Sequence, residues 1–147
     1  MRVKKVPGPE LSAADLQAIL RLRAEVFIVE QKAAYLDVDG RDLERGTIHY
    51  WFEDVDGVLA YLRVLTEPHG DMRIGRVCAA QRARGGGLAY QLMAAAVEDL
   101  SAVRSVLDSQ VYARGFYERF GYVAEGDEYV DEDGIPHVTM RRLARTG

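Results

Sequence analysis

Cysteine is almost missing from this chain: Cys78 stands alone among 147 residues. No intramolecular disulfide can form, and no cysteine-based metal cluster is possible. Histidine is scarce too. His49, His69 and His137 lie far apart, with no pair at the spacing that sets two ligands on one helix face, so no metal site is expected. No apolar run reaches the roughly 18 residues a membrane-spanning helix needs. The opening MRVKKVPGPEL has two lysines but not the apolar stretch of a signal peptide. Lysine itself is confined to Lys4, Lys5 and Lys32, and arginine supplies the other basic groups. Acids outnumber bases, 23 against 19, for a net charge of −4. That balance leaves no general basic face for nucleic acid. The expectation is a cytoplasmic protein with no metal, no membrane and no nucleic-acid partner.

What is there suits an ordinary core. Hydrophobic residues make up 48% and charged residues 29%, and a chain of this length is expected to form a single domain over 1–147. Arg2–Val6 alternates weakly and predicts a first strand, ended by Pro7-Gly8-Pro9. Ser12 then precedes Leu16, Ile19, Leu20, Arg23 and Phe27 at helical spacing, which predicts a helix from about Ala13 to Val29. Periodicity stops from Gln31 to Gly46, a long stretch for a loop without a task. Thr47–Glu53 and Val58–Leu65 flank Asp56-Gly57, a strong hairpin signal. Met72–Ala79 completes a meander. Leu88 to Leu100 carries an amphipathic helical pattern, Ser105–Ser109 a short apolar strand, and Ala113–Phe120 a short helix stopped by Gly121. Tyr122–Val130 and Val138–Arg142 read as two strands around the turn Asp131–Gly134. The order implies an α/β layer architecture with one sheet covered by helices.

The sharpest local feature is the strand Ile74–Cys78 followed by Arg84-Gly85-Gly86-Gly87-Leu88-Ala89, which opens directly into a helix. A helix start offers unpaired N–H groups and the positive end of the dipole, and so favours anions. Glycines ahead of it let the backbone approach a phosphate closely. Arg82 and Arg84 add positive charge. The Gly-Lys-Ser/Thr end of a nucleotide P-loop is missing, and Tyr90 occupies the last glycine of a dinucleotide fingerprint. By itself the triplet is compatible with a merely structural turn.

The context is more specific. Arg84-x-x-Gly87-x-Ala89 after a strand resembles the acyl-CoA signature Q/R-x-x-G-x-G/A of the GNAT superfamily of N-acetyltransferases. Ala113-Arg114-Gly115-Phe116-Tyr117-Glu118-Arg119-Phe120-Gly121-Tyr122 is similar to that family's second helical motif. Leu22–Gln31, Tyr35–Gly40, Asp42-Leu43 and Asp133–His137 resemble the ElaA-type subfamily. Gln110 departs from the asparagine many members carry there, but keeps an amide.

The resemblance implies a mixed, mostly antiparallel sheet of about 6–7 strands with about four helices. It also implies transfer of an acetyl group from acetyl-CoA to a small-molecule or protein amine within a ternary complex. Backbone N–H groups at Val77, Cys78 and Ala79 would then meet the pantetheine arm and polarise the thioester carbonyl, with Gln110 beside them. Arg82, Arg84, Gly85, Gly86, Gly87, Leu88 and Ala89 would hold the pyrophosphate. Tyr117 falls at the family's general-acid position, where a phenol protonates the departing thiolate. An amine must also lose a proton; Glu30 is the named base among Asp37, Asp39, Asp42, His49 and Glu128. Asp37, Asp39 and His49 are candidate substrate contacts, because the acidic loop could face a cationic acceptor or simply solvent.

Simpler roles stand beside these. Cys78 reads as a small buried hydrophobe more readily than as a nucleophile. Arg23, among apolar neighbours, either snorkels or pairs with a carboxylate. His137 reads as a satisfied strand histidine, and the tail Arg141-Arg142…Arg145 as solvated. Two other functions share the pattern: an acyl-homoserine-lactone-synthase-like reaction, whose N-terminal half is similar in style, and a CoA-binding regulatory module without catalysis. An exposed sheet edge at Val138–Arg142 or Arg2–Val6 allows a homodimer.

Overall fold

The computed structural model describes residues 1–131 and 134–145. Glu132 and Asp133, within the expected last turn and the ElaA-like segment, lie outside the described residues. Ser12 caps the first helix as its position requires, its hydroxyl accepting the Asp15 N–H at 3.0 Å. Helix α1 (Ala13–Arg23) then widens into a π-helical stretch, Ala24–Glu30. There the Gln31 N–H reaches back to the Val26 carbonyl at 3.0 Å. Such widenings are rare and frequent at functional sites.

Seven strands form one sheet in the order β1-β2-β3-β4-β5-β7-β6. They are β1 (Lys4–Pro7), β2 (Ile48–Asp54), β3 (Gly57–Thr66), β4 (Met72–Ala79), β5 (Ser105–Gln110), β6 (Val123–Val130) and β7 (Pro136–Arg142). Every neighbouring pair is antiparallel except β4 with β5. Helices α2 (Leu88–Asp99) and α3 (Arg114–Glu118) complete the set.

The nearly continuous apolar runs of β2 and β3 follow from burial on both faces. Tyr50, Phe52, Leu62 and Val64 join Leu92, Met93 and Ala96 of α2 in one core. The intervening Trp51 and Tyr61 join Ile19, Leu22 and Val26 in the other. A period of two thus splits each strand between two helices.

Two expectations need correction. Three α-helices are present among the described residues, not about four, because the widened end of α1 and the remaining single turns are not α-helical. Val138–Arg142 is not an edge: β7 lies between β5 and β6, so the edges are β1 and β6. No described helix is long and apolar enough to cross a membrane.

Candidate active site

Strand β4 carries one more residue than its partner. Tyr61 pairs with Cys78 and Arg63 with Gly75, two steps on β3 against three on β4. Arg76, at φ +56°, absorbs the extra residue as a β-bulge does. On its other side β4 pairs with β5 only at Met72–Ser105 and Arg73–Val106. Beyond these the two strands part.

The gap opens into a cleft of about 590 Å³, lined by Val77 from β4, Leu107 and Gln110 from β5, Tyr117 from α3, and Phe27 and Gln31 from the end of the first helix. Gln110 donates to the Gln31 side chain at 3.2 Å, bridging two walls. The ring of Tyr117 lies edge-on to Phe116 at 5.1 Å, and burial raises its phenol well above the ordinary value. A phenol holds its proton near neutral pH in any case, and this shift makes it hold the proton more firmly. Cys78 is buried, and burial pushes its thiol up to about 12, so it is an inert small hydrophobe with no thiolate to offer.

At the glycine turn, Gly85 and Gly87 hold φ of +86° and +78°, a region open to glycine and strained for other residues. Gly87 caps α2 without any side-chain hydrogen bond. Among the described residues no partner accepts from the backbone N–H groups of Gly85 to Tyr90. The turn is thus a concave row of donors at a helix start, fit for a phosphate oxygen.

Its arginines are already engaged. Arg82 forks onto Asp54 with both contacts at 2.8 Å. Arg84 forks onto Glu30 and also donates to the Ala79 carbonyl at 3.0 Å, tying the end of β4, the turn and the end of the π-helical stretch together. Glu30 consequently stands at the turn and not among the residues lining the cleft. Its hydrogen bond from Arg84 holds its carboxyl below the usual range, the opposite of what a base needs at neutral pH.

In the acidic loop Asp37 and Asp42 are buried, and its aspartates are paired with the chain's own arginines. Arg23, fully buried, donates to Asp37 at 2.9 Å and to Asp42 at 2.7 Å. Arg63 holds Asp42 at 2.9 Å and forks onto Asp39. Arg76 pairs with Asp37 at 2.8 Å, and the Tyr35 hydroxyl donates to Asp37 at 2.7 Å. Burial pushes the Asp39 and Asp42 carboxyls up, but bonds from Arg63 and Arg23 respectively pull them further down, so both stay ionised. Of the three proposed substrate contacts only Asp39 reaches the cleft. His49 is fully buried, its Nε2 2.8 Å from the Asp42 carbonyl and its Nδ1 2.6 Å from the Tyr61 hydroxyl. Burial lowers its pKa.

Arg73, Arg76, Tyr35, Tyr112 and His137 also line the cleft, beyond the contacts that the sequence motifs indicate. Strict alternation along β4 puts positions 73 and 76 on opposite faces; the bulge brings both to the cleft. His137 does satisfy Nδ1 within the chain, donating to the Ile135 carbonyl at 2.6 Å, yet its ring faces the cleft wall. The tail expectation also changes. Arg141 pairs with Asp71 and Glu125, and Arg142 is buried with Nε on the Phe120 carbonyl.

A sheet that parts at a bulge, a donor-rich glycine turn and a phenol in the gap define an acyltransferase of the GNAT type. The family model for the GNAT acetyltransferase domain matches residues 16–144, and the chain belongs to that family. It is 42% identical over 144 residues to the UPF0039 protein Rv2851c of Mycobacterium tuberculosis, covering 95% of this chain and 92% of that one. It is 36% identical over 140 residues to protein ElaA of Escherichia coli, covering 90% of each. The crystal structure of an acyl-CoA N-acyltransferase from Pseudomonas aeruginosa superposes with a TM-score of 0.91 at 37% identity, over 97% of this chain and all (100%) of that one.

Proposed function

We propose that this chain transfers an acetyl group from acetyl-CoA to a primary amine by direct attack in a ternary complex. The observation that carries the reading is the placement of Tyr117, a half-buried phenol lining the gap where β4 and β5 part. In this reading the N–H groups of Gly85 to Ala89 bind the pyrophosphate of the thioester substrate. Arg82 and Arg84 contribute charge there, shared with Asp54 and Glu30. The free edge of β4 at Val77–Ala79 pairs with the pantetheine arm and polarises the carbonyl, with the Gln110 amide opposite.

The acceptor amine enters through the cleft and attacks the carbonyl carbon. The carbon–sulfur bond breaks, and Tyr117 gives its proton to the departing sulfur. General-acid help of this kind is worth about 10²–10⁴-fold. Glu30, committed to Arg84, does not receive the amine's proton.

The test is the unfolding midpoint of the pure protein with acetyl-CoA, with ATP and NAD as controls. At about 100 times Kd a ligand adds about 2.7 kcal/mol, or roughly 5–10 °C at this size. A rise with acetyl-CoA alone, weakened in Gly87→Glu, is expected. Thiol release with an amine panel should fall about a hundredfold or more in Tyr117→Phe. Stabilisation without turnover on any amine would support the CoA-binding module instead, and no shift at millimolar acetyl-CoA would remove the enzyme assignment.

A further inference from the structure

We propose that the acceptor bears a carboxylate as well as its amine, as amino acids do, and that Arg73 and Arg76 bind that carboxylate in the cleft. This rests on the acyl-transfer reading above and names the class of acceptor that the same cleft takes.

The argument is one of hydrogen-bond capacity. Three arginines (Arg63, Arg73, Arg76) and three aspartates (Asp39, Asp108, Asp131) line the cleft, so formal charge there balances and gives a polycation no net attraction. The donors and acceptors do not balance. Asp39 takes the Arg41 N–H at 3.0 Å and the Arg63 Nη1 at 3.0 Å on one oxygen, and Arg63 Nη2 on the other. Asp108 takes the Thr139 hydroxyl at 2.8 Å on one oxygen and Arg73 Nη1 on the other. Asp131 is exposed and has contacts of its own. The carboxylates facing the interior of the cleft are therefore spent on the protein's own donors.

The two outer arginines are not. Arg73 uses Nε on Glu67 at 3.4 Å and Nη1 on Asp108, and no described group accepts from its Nη2. Arg76 uses Nη2 on the Asp37 carbonyl at 3.1 Å and on Asp39 at 3.5 Å, with Nε 2.8 Å from an Asp37 carboxylate oxygen; no described group accepts from its Nη1. Their side chains are 30% and 22% exposed, enough to reach a ligand and little enough for water not to screen it fully. Arg76 is also stacked on Tyr35 at 5.2 Å, which fixes its plane. Phe27, Leu36, Leu65 and Tyr112 supply apolar wall for the rest of the molecule.

The experiment measures binding of N-acetyl-L-amino acids, each beside its C-terminal amide, by calorimetry on the wild-type protein with and without CoA. N-acetylspermidine is the cationic comparison. The acetylated compounds remove any difference in amine basicity, so each acid–amide pair differs only in the charge at issue. The expected result is at least one acid, with an apolar side chain, that binds about tenfold or more tightly than its amide. Arg73→Gln and Arg76→Gln should each shrink that preference, while the thermal shift with acetyl-CoA stays as in wild type. Amides that bind as well as acids, tighter binding of N-acetylspermidine, no binding by any acid, or a preference unmoved by both substitutions would each overturn the proposal. A missing CoA effect bears on the acyl-transfer reading alone, since the acid–amide comparison is made without CoA as well.

Discussion

At the glycine turn the backbone N–H groups from Gly85 to Tyr90 have no partner in the described structure. At and beneath the floor of the cleft, Arg23 and Arg63 hold Asp37, Asp39 and Asp42 through several charged hydrogen bonds. The two regions are polar to a similar degree and differ in where that polarity is spent. The turn keeps its donors at the surface, where leaving them to solvent costs little. Arg23, Arg63, Asp37 and Asp42 are buried, where a charge without a partner costs several kcal/mol, so these four are paired with one another. A polar group held for a ligand thus has to sit where water can stand in for that ligand. Arg84 and Glu30 mark the border, since their pair is exposed and serves the turn.

The comparison breaks first at Arg23. Arg23→Ala leaves Asp37 and Asp42 buried with fewer donors and should lower unfolding free energy by about 3–5 kcal/mol in urea titrations. Arg21→Ala, which removes the exposed partner of Glu25 on the same helix, should change it by less than about 1 kcal/mol. Equal effects of the two would mean the cluster is not the keystone its burial implies.

Acid should come next, and it acts on the cluster. The Asp39 and Asp42 carboxyls are lower in the folded chain than in the unfolded one. Their stabilisation is therefore complete above about pH 5 and is lost as pH falls through the folded values. His49 is also lowered, by burial; the unfolded state takes up its proton first, so its share is lost from about pH 6.5 downward. Urea midpoints should decline between pH 7 and 3, the fall steepening below about pH 5. A flat profile would contradict the assigned pairing.

The smallest change falls at the border. Glu30→Gln should leave the unfolding midpoint nearly unchanged, because the Arg84 pair is exposed. It should tighten acetyl-CoA severalfold at low salt by freeing Arg84, an effect that salt erases. Weaker binding would mean that the pair is needed to shape the turn.

Much of this was legible in the chain. The Ser12 cap, the Asp56-Gly57 hairpin, the β4 limits and the glycine turn are local, and each follows from turn chemistry or a period of two. Cys78 reads from sequence as a small buried hydrophobe and is one; for Arg23 the apolar neighbours leave snorkelling and pairing both open, and the fold pairs it with Asp37 and Asp42. The acidic loop misled because aspartates in a loop look alike whether solvated or buried; only the arginines that reach them from α1, β3 and β4 separate the cases. Glu30 misled for a similar reason, its partner Arg84 being 54 residues away. The bulge at Arg76 left no trace in the residue pattern, since it depends on how β3 and β4 register.

By itself, then, the sequence determined the order of elements, the family and the position of the glycine turn, because periodicity, capping and glycine conformations act over a few residues. The tertiary structure alone decided which charges neutralise each other, which face Arg76 takes and which side chains line the cleft. Those outcomes depend on contacts between distant segments and on burial, which raises the cost of every unpaired charge and so selects the pairs.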